Sequence, residues 1–274
     1  MYKEIFITGD KHGDFSEVAI WSHQLINDRH NSIIIVLGDS GLNFSVNRMY
    51  YGMNKLYEEN NTLYKASPFN RVIYRDSTET IIKKNILKDH VYCDEIFIIH
   101  GNHEARAETV EGYETKEWNG GIVYFQPEYP NILFAKDGEI YTINGETYFV
   151  CGGAYSIDKE FRLRNYWNWF FDEQPDDEIK ERAIKNLEKA NWKVDYVLSH
   201  TCPYKYIPTE TFDNSTKDLK VDNSTEKWLD EIKEKLDYKK WYCGHFHINK
   251  HQDNMVFLFN SVERIGKWFS WAKS

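Results

Sequence analysis

The chain has 274 residues, of which 41% are hydrophobic and 16% aromatic. This composition supports a sizeable core and excludes general disorder. Its 43 acidic and 34 basic side chains give a net charge of −9, which argues against a protein that coats long nucleic acid; a small phosphorylated ligand stays possible because a bound metal can reverse the local field. No repeat, low-complexity tract or Pro/Gly-rich linker divides the chain, so we expect a single domain, 1–274.

The cysteine pattern and the N-terminus bear on location. Four scattered cysteines without a C-x-x-C pair indicate a reducing compartment. The N-terminus lacks the apolar region of a signal peptide, and no apolar run approaches the roughly 20 residues that span a bilayer. We therefore expect a cytoplasmic protein without a membrane partner, while its oligomeric state stays open.

Short apolar runs alternate with helical patterns along the chain. The runs are rich in β-branched residues, which is typical of buried strands, and Asn144-Gly145 fits the type I′ turn of a hairpin. The predicted strands span 4–9, 32–38, 95–100, 139–143, 146–151, 194–199, 238–243 and 255–259, and the predicted helices span 15–28, 46–59, 176–190 and 225–236. Strand–helix alternation predicts parallel pairing and the hairpin antiparallel pairing. The predicted fold class is therefore α/β with two mixed sheets.

Polar motifs follow five of the predicted strands. They are Asp10-Lys11-His12-Gly13, Gly38-Asp39, Gly101-Asn102-His103-Glu104, Ser199-His200 and Gly244-His245-Phe246-His247. A carboxylate directly after an apolar strand, such as Asp39, is costly unless it is paired, caps a helix or binds a metal. A lone histidine such as His200 is more often a packed core residue than a ligand. Each motif by itself therefore leaves a structural alternative open.

Together the five motifs predict a metal centre. In an open α/β sheet the carboxyl ends of the strands meet at one edge, where sites form. The side chains expected to converge there are Asp10, His12, Asp39, Asn102, His200, His245 and His247. These imidazole, carboxylate and amide groups are too many for one tetrahedral ion and enough for two.

The motif order D-x-H-G, G-D, G-N-H-E, S-H and G-H-x-H resembles the calcineurin-like metallophosphoesterase family over 10–247. The resemblance implies a four-layer α/β/β/α sandwich with two divalent metal ions, Mn²⁺ being expected and Fe or Zn²⁺ the alternatives. It implies that Asp10, His12 and His247 hold one ion, that Asn102, His200 and His245 hold the other, and that Asp39 bridges them. It further implies attack on phosphorus by a metal-bridging hydroxide, with His103 as the general acid.

The sequence departs from the protein phosphatases of this family at one motif. They follow the bridging Asp with V-D-R-G, where this chain has Ser40-Gly41-Leu42-Asn43. The Asp that orients the catalytic His and the Arg that grips phosphate are thus both missing. Arg106, three residues after His103, is an alternative phosphate ligand, and a solvated loop arginine is an equally good interpretation.

Two segments fall outside the motifs. The stretch 60–94 is longer than the family needs and is interpreted as an insertion, expected at the sheet edge away from the metals. The segment 154–175 carries Arg162, Arg164 and several aromatic residues. It is either a packed crossover or a cap over the site whose two arginines bind substrate.

The predicted function is hydrolysis of a phosphomonoester, either a phosphoprotein or a small phosphorylated metabolite. The alternatives are a phosphodiesterase, including a nucleotide pyrophosphatase or a nuclease, and a non-catalytic metal-binding scaffold. The scaffold is the less favoured of these because His103 is present.

Overall fold

The computed structural model describes residues 1–44, 78–165, 167–212 and 221–265, and the backbone of 267–269. The helices in these ranges are α1 (Ser16–Leu25), α2 (Thr78–His90), α3 (Lys159–Arg164), α4 (Asp177–Lys189) and α5 (Ser224–Lys235). The strands are β1 (Glu4–Thr8), β2 (Ser32–Val36), β3 (Glu95–Ile98), β4 (Glu114–Trp118), β5 (Gly121–Gln126), β6 (Tyr129–Ala135), β7 (Ile140–Ile143), β8 (Glu146–Cys151), β9 (Tyr196–Ser199), β10 (Lys240–Cys243), β11 (Lys250–Gln252), β12 (Met255–Phe257), β13 (Val262–Arg264) and β14 (Lys267–Phe269). The predicted helix 46–59 lies outside the described residues.

The described strands form two mixed sheets. The larger has the order β14-β13-β1-β2-β3-β6-β5-β4, and the smaller has the order β11-β12-β10-β9-β8-β7. In each sheet the central strands run parallel: β1, β2, β3 and β6 in the larger, and β8, β9, β10 and β12 in the smaller. The predicted class, α/β with two mixed sheets, is confirmed.

Alternate residues of the central strands face two different cores. Ile33 and Ile35 of β2 pack between the sheets together with Tyr148 and Leu198 of the smaller sheet. Residues on the opposite faces of the strands pack against helices: those of the larger sheet against α1 and α2, and those of the smaller sheet against α4 and α5. Helices thus cover the outer face of each sheet, and the carboxyl ends of the parallel strands are left free for polar residues.

Helix α2 makes the crossover from β2 to β3 and forms the second half of the stretch interpreted as an insertion, of which 60–77 is outside the described residues. Its start lies at the edge that carries the polar motifs, where the Lys83 ammonium donates to the Gly41 carbonyl at 3.1 Å. Its end reaches the opposite edge, where the His90 carbonyl lies 3.1 Å from His23 Nε2. The expected position away from the motifs therefore fits only the end of this helix.

Candidate metal centre

The five motifs meet at one edge of the molecule. Backbone hydrogen bonds connect their turns: the His12 amide donates to the Asp39 carbonyl at 2.7 Å, and the Gly244 amide donates to the His200 carbonyl at 2.9 Å. Side chains add a further connection, because the Asp10 carboxylate accepts from the His245 amide at 3.0 and 3.1 Å. All seven predicted ligands are brought together in this way.

One group of ligands consists of Asp10, His12 and His247. The Nε2 atoms of His12 and His247 are 2.9 Å apart, and His247 Nε2 lies 3.2 Å from Asp10 Oδ2. One ligand atom from each residue lies within 4.8 Å of the other two. A carboxylate oxygen and two imidazole nitrogens aimed at a common point form a set that suits a borderline divalent cation.

The second group consists of Asn102, His200 and His245. Asn102 Oδ1 is 2.7 Å from His200 Nε2 and 3.0 Å from His245 Nδ1. The other ring nitrogen of His200 lies 2.8 Å from the Leu37 carbonyl, a contact that requires Nδ1 to carry the proton. In the neutral form of His200 this leaves the Nε2 lone pair available to a metal ion.

Asp39 lies between the two groups. Its Oδ1 is 3.7 Å from His200 Nε2, and its Oδ2 is 4.0 Å from His12 Nε2. Burial would raise the pKa of Asp39, but the imidazoles of His200, His103 and His12 outweigh burial and lower it. The side chain is therefore an ionised carboxylate with one oxygen toward each group.

The turns that carry these residues are strained. His12, Asp39, His245 and His247 have φ values of 46°, 43°, 65° and 52°, in the left-handed region that non-glycine residues rarely adopt. Each such residue costs on the order of 1–3 kcal/mol and persists only where its surroundings impose it. The strain directs the ends of three separate turns toward one point, which is a pattern found at functional sites.

Two motif glycines allow this close approach. A Cβ on Gly101 would lie 2.1 Å from Asp39 Oδ1, and a Cβ on Gly244 would lie 2.2 Å from Asp10 Oδ1. Any side chain at either position would displace a carboxylate of the cluster. The requirement for glycine at these motif positions is therefore steric.

The pKa values of the imidazoles shift in both directions. Burial would lower the pKa of His200, but the carboxylates of Asp39 and Asp10 outweigh burial and raise it. Burial lowers the pKa of His12, and burial together with the neighbouring His200 lowers that of His245 well below its ordinary value. The hydrogen bond to Asp10 raises the pKa of His247. Neutral imidazoles and ionised carboxylates are the forms that bind metals. The group Asp10, His12 and His247 therefore fits a divalent cation, and the second group offers further ligand atoms on the other side of Asp39.

Three residues that support the ligands were not predicted. Asn102 Nδ2 donates to Ser156 Oγ at 2.8 Å, and Ser156 Oγ donates to Glu173 Oε2 at 2.5 Å. Glu104, inside the G-N-H-E motif, accepts from the Gly101 amide at 3.0 Å. Ser156 lies in the loop after β8, and Glu173 lies in the loop between α3 and α4. The one available signal was therefore the polarity of Ser156 shortly after a strand end.

His103 lies beside the ligands without belonging to either group. Its amide donates to Asp39 Oδ1 at 2.8 Å, and its ring centroid is 5.9 Å from that of His12. Burial lowers the pKa of His103, the carboxylates of Asp39 and Asp158 oppose this change, and Arg162 adds to it. Asp158 is thus an acid near His103 that the sequence could not identify.

A cavity of about 1050 Å³ opens beside the two groups. His103, Asn102, His245 and His247 form one side of it. Tyr155, Ile157 and Asp158, from the segment predicted as a possible cap, contribute to another side. Trp169 and Phe170 of the same segment are buried, so this segment contains both wall residues and packed residues.

Arg106 is neither a solvated loop residue nor exposed to the cavity. It is buried, and its Nη1 donates to the Asp137 carboxylate. Its Nε donates to the Asp172 carbonyl at 2.9 Å, and Asp137 in turn accepts from the Gly152 amide at 2.6 Å. Both interpretations made from the sequence assumed an accessible guanidinium, whereas the buried Asp137 carboxylate draws it inward.

The two arginines of α3 differ in position. Arg162 Nε donates to Asp158 Oδ2 at 2.7 Å, and its Nη1 donates to the Asn168 carbonyl at 3.2 Å. The side chain of Arg164 is 80% exposed and lies 3.7 Å from Glu160. Of the two, Arg162 is thus the one connected to the cavity wall.

The remaining predictions concern thiols and membranes. Cys202 and Cys243 are buried free thiols, as predicted, and they pack in the core cluster under α4 and α5. Among the helices that the structure describes, none has the length and apolar character needed to cross a bilayer.

Comparison with known proteins agrees with the motifs. The profile of the calcineurin-like phosphoesterase family matches residues 3–249. The structure of a phosphopantetheinyl hydrolase from Mycobacterium tuberculosis is similar over 93% of this chain and 88% of its own, at 13% identity and a TM-score of 0.48. No curated protein matches the sequence. Since the match spans most of the chain and the motifs meet in one site that fits divalent metals, this protein belongs to the calcineurin-like phosphoesterase family and is a metal-dependent phosphoester hydrolase.

Proposed function

We propose that this hydrolase cleaves phosphomonoesters with two divalent cations, Mn²⁺ being the expected metal and Fe or Zn²⁺ the alternatives. The observation that carries the proposal is the position of Asp39, which directs one oxygen to each ligand group. One cation would be held by Asp10, His12 and His247. The other cation would be held by Asn102, His200 and His245, and Asp39 would bind both cations. When bound, such cations supply Lewis-acid stabilisation of phosphoryl oxygens and make a water molecule more acidic.

His103 is proposed as the general acid. It lines the cavity and is not spent as a ligand. The bond from its amide to Asp39 places it next to the residue shared by the two groups. A proton donated to the leaving oxygen by such a group is commonly worth ~10²–10⁴-fold in rate. The G-N-H-E form of its motif resembles the protein phosphatases, which supports the monoester assignment.

We further propose that the enzyme works in a reducing compartment such as the cytoplasm. The support is that Cys93, Cys151, Cys202 and Cys243 are all buried free thiols.

The test compares metal content with hydrolysis. The protein is stripped with a chelator, reloaded with Mn²⁺ and analysed for bound metal. Rates are then measured on p-nitrophenyl phosphate, bis(p-nitrophenyl) phosphate and phenyl phosphate. We expect two ions per chain and preference for the monoesters. We expect His103→Ala to lose more rate on phenyl phosphate than on p-nitrophenyl phosphate, because a poorer leaving group depends more on the proton.

His30→Ala, which changes an exposed histidine in the short 3-10 helix before β2, is the matched control and should keep full activity. Preference for the diester would replace the proposal with the phosphodiesterase alternative. Two bound metals without hydrolysis of any ester would instead indicate the scaffold.

A further inference from the structure

Part of the lining of this cavity exposes large apolar side chains. Ile157, Tyr204, Phe212 and Val221 all line this cavity, and between 37% and 45% of the surface of each is exposed. Large apolar side chains in contact with water do not stabilise the fold. Their grouping around one cavity marks a binding surface and not the scattered exposure found on any protein.

The apolar wall is continuous with the candidate metal centre. Phe246 stands between His245 and His247 in the sequence, and its ring centroid is 4.9 Å from that of His245. The same ring is stacked with Phe212 at 6.3 Å and 27°. The aromatic surface thus begins at the turn that carries two ligands and extends outward. A phosphoester with its phosphate at the ligands would lay its alcohol portion along this surface.

Charge on the described walls argues against an anionic alcohol portion. Lys205 lines the cavity, but its ammonium already lies 2.8 Å from the Glu234 carboxylate. Asp158 and Glu226 add carboxyl groups to the same walls. Arg162, which donates to Asp158 at 2.7 Å, is likewise already paired, so a second phosphate or a carboxylate on the alcohol portion would have to displace one of these carboxylates to gain a cation.

We infer that the alcohol portion of the substrate is an aromatic or apolar group without negative charge, held by Tyr204, Phe212 and Phe246. This inference rests on the proposed function, because it assumes that the phosphate occupies the metal centre. The apolar wall supplies affinity by removing the leaving group from water. The carboxylates on these walls supply specificity by disfavouring anionic alcohols.

The test uses three aryl phosphates on the Mn²⁺-loaded protein: phenyl, 2-naphthyl and 4-carboxyphenyl phosphate. We expect kcat/KM to be about tenfold higher for the naphthyl than for the phenyl ester, since a second ring buries several more carbon atoms. We expect it to be about tenfold lower for the carboxyphenyl ester. Phe212→Ala and Tyr204→Ala should each reduce the naphthyl-to-phenyl ratio at least threefold. Phe161→Ala, an exposed aromatic side chain of α3 away from the cavity wall, is the matched control and should leave that ratio unchanged.

A non-hydrolysable probe separates the two proposals. Binding of 2-naphthylmethylphosphonate and of methylphosphonate is measured by calorimetry on the wild type and on Phe212→Ala. Hydrolysis without naphthyl preference, or a preference that survives both variants, overturns the inference and leaves the phosphomonoesterase proposal standing. If no ester is hydrolysed, tighter binding of the naphthyl phosphonate, lost in Phe212→Ala, supports the apolar subsite while the proposed reaction fails. Equal binding of both phosphonates overturns the subsite as well.

Discussion

Asn102 and Ser156 are joined by a hydrogen bond of 2.8 Å, in which the side-chain amide donates and the hydroxyl oxygen accepts. This bond decides which end of the amide faces the histidines. With the nitrogen committed to Ser156, the oxygen is directed at His200 and His245. The Ser156 hydroxyl proton is itself committed to Glu173, so the serine oxygen is free to accept. A neutral ligand is thereby oriented by a buried chain of three side chains.

Ser156→Ala should therefore weaken metal binding. Without the acceptor, the amide can turn its nitrogen toward the imidazoles and lose its value as an oxygen ligand. Loss of such a support typically costs ~10–100-fold in metal affinity. For Ser156→Ala we expect the affinity for one of the two cations to fall by ~10-fold, the lower end of this range. The measurement is titration of the stripped protein with Mn²⁺ by calorimetry. Ser22→Ala, which removes a buried hydroxyl from α1, controls for general destabilisation. Equal affinity in the wild type and Ser156→Ala would contradict the orienting role.

Glu173 makes stability depend on pH. Burial raises its pKa from 4.5 to about 7, although hydrogen bonds from Ser156 and Trp169 oppose the change. The folded protein thus holds this proton more tightly than the unfolded chain, so the stabilisation is complete below pH 4.5 and disappears as the pH rises through about 7. Glu173→Gln cannot titrate and lacks this dependence.

The expected change follows from the size of the shift. Between about pH 4 and pH 8, the unfolding free energy of the metal-free wild type should fall relative to that of Glu173→Gln by about 3 kcal/mol. Urea unfolding of both proteins across this range measures it, and the histidine ligands cancel because both proteins contain them. Glu181→Gln, at an exposed position of α4, should run parallel to the wild type. Parallel curves for Glu173→Gln would show that the pKa of Glu173 is the same in the folded and the unfolded protein.

The parts of the fold that the sequence predicted are those with a strong local signal. β1 and β2 are short β-branched runs with every residue buried, and the Asn144 turn has the positive φ of the predicted hairpin. The strands β4, β5 and β6 were not predicted. β4 is mostly exposed, and Pro130 inside β6 weakens the strand signal of its apolar second half. β5 is an apolar run whose strand signal was missed.

The residues of the site also fall into those that the sequence could predict and those that it could not. The ligands could be predicted because each follows a strand, and parallel strands end at the same edge. The roles of Arg106 and Ser156 could not, because each is fixed by a partner far along the chain. Asp137 stands 31 residues from Arg106, and Ser156 stands 54 residues from Asn102. Such contacts follow from the packing of the two sheets and leave no local pattern.

Arg106→Ala should destabilise the protein strongly. The variant would leave the buried Asp137 carboxylate, which also accepts from the Gly152 amide, without its cation. Breaking a buried pair from one side costs about 3–5 kcal/mol, and urea unfolding should show a loss of that size. Arg164→Ala is the control, since its exposed pair with Glu160 should be worth less than about 1 kcal/mol. A stable Arg106→Ala protein with a raised KM would instead restore Arg106 as a phosphate ligand.

Arg162 and Arg164, both on α3, test whether an arginine of this helix contributes to substrate binding. Arg162 is tied to Asp158 in the cavity wall and to the Asn168 carbonyl, so Arg162→Ala releases both and exposes an unbalanced carboxylate to the substrate. We expect KM for an aryl phosphate to rise about tenfold with a smaller change in kcat, because repulsion by a carboxylate close to the bound ester costs roughly 1–2 kcal/mol at the effective dielectric of a protein surface. Arg164→Ala should leave KM unchanged, since that side chain points to solvent. Equal KM values for both variants and the wild type would show that neither arginine of the segment 154–175 takes part in substrate binding.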